Sequence, residues 1–267
     1  MPTAVKLQKE YGDAIQVIFV EVQGHSMDEV LPFALKRKWL GSGVAWTTER
    51  PFRVDLNGIP NYALISPDGE VVSWGYSNQD HKKVVELIEG FVKSKPQRED
   101  LPKPLVKVYK EFDKGEFAKA WKEADKVEAK YAEDAQVLRF LGDARREVRE
   151  TVERRSQRIS WLVENGYPLL AEAQWKDLVK VVKGADELVA LVADVTARID
   201  TDEFADMKKA ARSLVKMEQA LYESGGKDGE KLAKKLRKFA EDHAGTPLAA
   251  RATQLADIAA KVGSVRA

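Results

Sequence analysis

The chain of 267 residues contains no cysteine. This excludes disulfide bonds, a thiolate nucleophile and any zinc site that uses sulfur. It fixes no compartment, because a cysteine-free chain is compatible with either side of a membrane. Histidine is nearly as scarce, with only His25, His81 and His243. No H-E-x-x-H or comparable ligand spacing joins them, so they read as surface or helix-terminal residues and no metal site is expected. There is no excess of either charge: 44 Lys and Arg stand against 43 Asp and Glu, a net charge of +1. Nothing in that balance draws the whole chain toward nucleic acid or an anionic membrane. The longest apolar run, Ile15 to Val22, is broken by Gln16 and Glu21. It falls far short of the ~20 residues that a membrane span needs. No basic-then-apolar leader precedes it. A phosphate loop is missing too, since Gly225-Gly226-Lys227 lacks the required spacing and preceding strand.

What is present is the composition of a helix-rich globular protein, 44% hydrophobic and 33% charged. The length suits about two domains. Pro2 to Tyr11 reads as a short helix ended by Gly12-Asp13. Ile15 to Val22 is β-branched and nearly all apolar, the pattern of a strand buried on both faces. Ser26, with Glu29 three residues on, forms a capping box for a helix whose apolar face is Val30, Phe33, Ala34 and Trp39. Two short strands come next, Asn61 to Ile65 and Glu70 to Tyr76, joined by the turn Ser66-Pro67-Asp68-Gly69. A helix over about Gln79 to Lys95 closes this half. Helix, strand, helix, hairpin, helix is an α/β order.

Residues 96–104, proline-rich and charged without periodicity, read as a linker between domains 1–95 and 105–267. No strand is expected beyond Leu105. Phe117, Ala120, Trp121, Ala124, Val127 and Tyr131 fall at helical spacing. Val137, Leu141, Ala144, Val148, Val152, Ile159 and Leu162 do the same along what reads as one helix of ~45 Å. Further helices are expected over Leu169 to Val182, Leu188 to Ile199, Phe204 to Tyr222, Leu232 to His243 and Leu248 to Val262. The short breaks between them suit antiparallel helical hairpins.

The stretch Asn57-Gly58-Ile59-Pro60-Asn61-Tyr62-Ala63-Leu64-Ile65-Ser66-Pro67-Asp68-Gly69 resembles the thioredoxin superfamily, in its TlpA/ResA-like branch of bacterial thiol-disulfide oxidoreductases. The proline loop, the strand and the turn carry the match. Leu7, Tyr11 and Val17-Ile18-Phe19-Val20 are similar to the segment downstream of the active-site Cys-x-x-Cys in that branch, so the resemblance covers about residues 1–95. It implies a thioredoxin-like α/β domain, N-terminally incomplete, since the family's Cys-x-x-Cys and its central strand would precede Met1. It also implies that the Ile59–Pro60 bond is cis, that Gly58, Ile59 and Pro60 bind an extended peptide by strand addition, and an exported, periplasmic protein. In the second half, Gly115-Glu116-Phe117-Ala118-Lys119-Ala120 and Ala244-Gly245-Thr246-Pro247-Leu248-Ala249 resemble parts of a tetratricopeptide (TPR) unit, without a clean 34-residue period. An all-α, TPR-like domain is therefore expected there.

The functional expectation has two branches. One is a thioredoxin-like protein without redox-active cysteines that binds or scaffolds a protein or extended peptide, with no cofactor, no metal and no nucleic-acid partner. The other is an N-terminally truncated oxidoreductase whose cysteines lie upstream of Met1. Either way this chain carries no catalytic residue for thiol chemistry, which needs an attacking thiolate. Arg145, Arg146, Arg149, Arg154, Arg155 and Arg158 alternate with Glu147, Glu150 and Glu153 without interleaved aromatics, so they read as an ion-paired helix face, not an RNA site. The six tryptophans read as packing residues. Without the absent strand the domain has to close the gap, borrow a strand from another chain or be poorly folded; closing the gap would pair Ile15–Val22 directly with Asn61–Ile65.

Overall fold

A computed structural model of the protein describes residues 2–50, 58–66, 69–76, 80–93 and 101–262. Its contacts divide the chain into two units that are not continuous in sequence. The first is Met1–Gln97 with Leu221–Gly229 and Ile258–Ala267; the second is Arg98–Ala220 with Glu230–Asp257.

In the first unit, helix α1 (Pro2–Tyr11) buries Val5 and Leu7. It also buries Gln8, whose carboxamide is fully used. Its nitrogen donates to the carbonyls of Gly12 and Ile15 at 2.9 and 3.1 Å, and its oxygen accepts from the Val17 amide at 2.6 Å. A buried polar side chain is tolerated when its partners are all present, and here those partners fix where strand β1 (Ile18–Val20) begins. Strand β1 pairs in parallel with β2 (Ala45–Thr47), Phe19 opposite Trp46. Between them runs α2 (Met27–Lys36), with Ala34 and Leu35 fully buried. A second sheet is the antiparallel hairpin of β3 (Asn61–Ile65) and β4 (Val71–Tyr76), succeeded by α3 (His81–Lys93).

This corrects one expectation and removes one alternative. Strand β1 is three residues long and is not buried on both faces, since Ile18 is 54% exposed. An apolar run favours extended backbone, but burial depends on what packs against it, and β1 has a single strand neighbour among the described residues. Nor does Ile15–Val22 pair with Asn61–Ile65: the two strands belong to separate two-stranded sheets. The neighbour of β1 is instead β2, a strand too short to give an alternation signal. At the hairpin turn Pro67 and Asp68 lie outside the described residues. Ser66 and Glu70 close it through a 2.8 Å backbone bond, with Gly69 at a φ of +87°.

At the start of α2, Glu29 accepts from the Ser26 amide at 2.9 Å and the Ser26 hydroxyl at 3.1 Å. The Ser26 backbone bond, then its hydroxyl, hold the Glu29 carboxyl below its ordinary range. A lowered folded-state pKa stabilises the fold above the unfolded value and is lost as pH falls through the folded one. The first turn of α2 should therefore loosen on acidification, and Glu29→Gln should abolish that pH dependence. Tracking the Ser26 and Glu29 amide resonances through an acid titration checks it; an unchanged titration in the variant would contradict it.

Two-stranded sheets are marginal by themselves, so the first unit should also open more easily than the helices. Amides of Ile18–Val20 and Asn61–Ile65 should exchange about 100-fold faster than those from Val137 to Val152, as local opening precedes global unfolding. Equal protection in a hydrogen-exchange experiment would show that other contacts complete the sheets.

The segments Leu221–Gly229 and Ile258–Ala267 are joined to the first unit by close approaches. A Cβ on Gly41 would fall 2.5 Å from the Tyr222 ring, and Lys261 Nζ lies 2.7 Å from Asp28 Oδ2.

The second unit is helical, formed by α4 (Val106–Asp113), α5 (Phe117–Lys130), α6 (Ala135–Glu164), α7 (Pro168–Val182), α8 (Asp186–Ala190), α9 (Ala193–Ile199) and most of α10 (Asp202–Ser224), α11 (Gly229–Asp242) and α12 (Pro247–Lys261), of which residues 221–224, 229 and 258–261 count with the first unit. Helix α6 is the expected long helix, 30 residues, with Asp134 capping the Gln136 and Val137 amides at 3.1 and 3.0 Å. Consecutive helices pack pairwise from α4 to α7. One core gathers Phe117, Trp121, Val152, Ile159, Leu178, Leu188 and Phe204; a second gathers Leu105, Tyr109, Val137 and Leu141. Leu188 to Ile199 is two helices, not one, because the chain turns at Leu191 and Val192.

Candidate functional site

The three residues singled out from the sequence, Gly58, Ile59 and Pro60, form an exposed loop leading directly into β3. Gly58 has a φ of +112°, a conformation that a side chain would strain. The Ile59–Pro60 peptide is cis, as the resemblance implies for this position. Asn61 Nδ2 donates to the Gly58 carbonyl at 3.2 Å and ties the loop to the strand.

The hairpin beyond it carries its residues in an unusual sense. Alternation places Val72, Trp74 and Tyr76 on one face of β4 and Ser73 and Gly75 on the other. Ser73 and Gly75 are the buried pair, and Trp74 is 55% exposed. The Tyr62 hydroxyl and Ser73 Oγ, 3.1 Å apart, hydrogen-bond across the inner face. A Cβ on Gly75 would fall 2.1 Å from Asp80 Oδ2 and 3.3 Å from the Tyr62 ring, so the Asp80 side chain would have to move to admit one. The outer face is therefore the apolar one, with Ile65, Val72 and Trp74 exposed; Ile59, in the loop that leads into β3, is 54% exposed.

The other aromatics of this unit are used in packing. Phe19 meets Trp46 edge-on at 4.7 Å, Trp46 stacks on Trp39 at 6.4 Å, and Phe33 meets Trp39 at 5.7 Å. In the helical unit Trp121 is buried and Trp175 donates to Thr196 Oγ1 at 3.0 Å. Trp74 departs from the expectation of packed tryptophans, being 55% exposed, whereas Trp161, 49% exposed, stacks on the Tyr167 ring at 6.2 Å.

The titratable groups do not converge. His25 stands 3.8 Å from Glu29, His81 begins α3, and His243 packs 4.3 Å from the Phe239 ring. Among the described residues no group of three His, Asp or Glu side chains could hold a metal ion. Most of the arginine run on α6 is engaged as expected. Arg145 bonds Asp125 and Glu128 at 2.7 and 2.8 Å, Arg146 bonds Asp143 at 2.5 Å, and Arg155 lies 4.9 Å over the Phe117 ring. Gly225 and Gly226 close the end of α10, where a Cβ on Gly226 would meet Val262 at 2.8 Å. That close approach explains the glycine without a phosphate. A concavity lined by Ala129 to Ala135 is the outside of a single turn. Among the described residues no helix is long and apolar enough to cross a membrane.

Gln8 and Trp74 are the residues that sequence reasoning misses. Gln8 has no local signal, because its three partners lie four to nine residues onward in a fold that has yet to form. Trp74 is visible as a strand residue, but which face of the strand lies outward is not. No protein-family model, curated protein or solved structure matches this chain.

Proposed function

We propose that this is a thioredoxin-like protein without redox-active cysteines that binds an extended polypeptide along β3, next to Gly58, Ile59 and Pro60, while TPR-like helices serve as a scaffold for a protein partner. The observation that carries this reading is the outward apolar face of the hairpin beside a strand edge that has no partner among the described residues. Strand β3 pairs only with β4 among the described residues. Its other edge therefore offers backbone donors and acceptors to an incoming strand, as in β-strand addition. Ile59, Ile65, Val72 and Trp74 offer apolar surface next to it. Covering the exposed half of a tryptophan, on the order of 100 Å², is worth about 2–3 kcal/mol. That is enough to set specificity on top of sequence-independent backbone bonds.

Panning a random peptide library on the purified protein tests the reading. Enriched peptides should alternate apolar residues, and their binding should be lost in both Ile59→Asp and Trp74→Ser. Enriched peptides that bind both variants undiminished would remove this site from consideration. The same protein should fail to reduce insulin above the dithiothreitol background, because exchange requires a thiolate and the chain has none. Turnover above that background would refute the non-redox reading.

A further inference from the structure

Helix α11 bears the densest charge that nothing above employs. Between Glu230 and Lys238 the sequence carries five cations, Lys231, Lys234, Lys235, Arg237 and Lys238, against one carboxylate. All five are exposed. Arg237 approaches Asp257 at 3.6 Å and Lys238 approaches Asp242 at 3.5 Å, while Lys231, Lys234 and Lys235 form no ion pair among the described residues. The helix dipole does not account for them, since Lys231 stands near the N-terminus, where acids are favoured, and the last turn carries no base. The opposite face, Ala233, Leu236 and Phe239, is buried.

That burial narrows the counterpart. The wide apolar face of α11 is taken up in packing and only Leu232 and Ala240 remain partly exposed, too little for the apolar face that an interfacial helix inserts into a bilayer. No aromatic ring stands among the lysines to stack on a base. A polypeptide rich in carboxylates fits a lysine face that has neither, and the chain carries one. From Asp186 to Asp206 there are seven carboxylates, one arginine and no lysine. All seven are exposed. Glu187 meets Arg149 at 3.8 Å and Asp206 meets Lys209 at 2.8 Å. Asp186, Asp194, Asp200, Asp202 and Glu203 form no ion pair among the described residues. Both segments lie in the helical unit, yet they do not pair with each other within one chain.

We propose that the lysine face of α11 in one copy docks on the acidic rim formed by α8, α9 and the start of α10 in a second copy. Each copy uses each surface once, so the contact is heterologous and propagates head to tail unless a ring closes it. Exposed ion pairs are individually weak and screened by salt, so the assembly grows with concentration and dissolves as ionic strength rises. The inference is independent of the peptide-binding reading of β3.

Sedimentation velocity of the full chain tests it. The wild-type sedimentation coefficient should rise with loading between about 10 and 500 µM in about 20 mM salt, and stay at the monomer value in about 500 mM salt. K231E/K234E/K235E alone and D186K/D202K/E203K alone should each remain monomeric in low salt. An equimolar mixture of the two should associate, because each then presents the charge that the other lost. D186N/D202N/E203Q, which keeps the helix starts uncharged and is checked by circular dichroism, should be monomeric as well. A wild-type protein that stays monomeric in low salt overturns the proposal. So does association that survives K231E/K234E/K235E, or a mixture that fails to recover it. Monomeric wild type that binds duplex RNA or phosphatidylglycerol vesicles through the same lysines would also overturn it, by assigning the face to that polyanion.

Discussion

Phe117→Ala should be among the most damaging single changes in the helical unit, lowering its unfolding free energy by about 3–5 kcal/mol. Phe117 is 1% exposed and lies in the core that joins α5, α6, α7 and α10. Its ring has Phe112 at 6.0 Å on one side and the Arg155 guanidinium at 4.9 Å over its face. Truncation removes the transfer free energy of the ring and leaves a cavity between helices that cannot all close upon it. A domain has only about 5–15 kcal/mol in total, so much of the unit's stability would be gone. Urea unfolding monitored by far-ultraviolet circular dichroism measures this. Val106→Ala, at a half-exposed position, should change the same curve by less than about 0.5 kcal/mol. A Phe117→Ala midpoint as close to wild type as that of Val106→Ala would refute the core assignment.

Arg251→Met should cost a comparable amount, about 3–5 kcal/mol, through a different cause. Arg251, on α12, is only 8% exposed. It donates to the Gly166 carbonyl at 2.9 Å, pairs with Glu218 of α10, and lies 4.0 Å over the Tyr167 ring. One side chain thus joins α10, α12 and the turn between α6 and α7. Methionine keeps much of the volume but leaves the largely buried Glu218 carboxylate without its cation and the Gly166 carbonyl without its donor. The penalty comes from the buried partners that lose this bond more than from the bond itself. Arg251→Met combined with Glu218→Gln should therefore be less destabilised than Arg251→Met alone. A double-mutant cycle in urea reads this coupling directly. Strict additivity of the two changes would show that the pair contributes nothing beyond its shape.

The two changes differ in how far the sequence announces them. Phe117 lies on a helical stripe with Ala120, Trp121 and Ala124, so its burial is expected from a 3.6-residue period. Arg251 gives no such warning. Arginine at a helical position ordinarily reads as solvated, and its two partners lie 33 and 85 residues away. The same contrast runs through the α/β unit. The Ser26–Glu29 motif, the Ser66–Gly69 turn and the Gly58-Ile59-Pro60 loop are contiguous in sequence and can be named from it. Strand β2 escapes because its three residues carry no measurable alternation. The split between α8 and α9 escapes because Leu191 and Val192 are neither glycine nor proline.

What the amino-acid sequence determined by itself is much of the local conformation: the long helical segments, the hairpin strands, the capped start of α2, and that no thiol chemistry can occur. Those properties come from backbone sterics, side-chain period and elemental composition, all settled within a few residues of each position. What only the tertiary structure decided is which sides of those segments meet. Alternation along β4 separates Val72 and Trp74 from Ser73 and Gly75, and hydrophobicity alone would turn the tryptophan inward. The hairpin buries the small pair instead, with Asp80 and the Tyr62 ring packed close over Gly75. Likewise β1 found β2, and the segments around Tyr222 and Lys261 joined a unit that begins two hundred residues earlier. Such choices rest on close packing between distant parts of the chain, which no local pattern encodes.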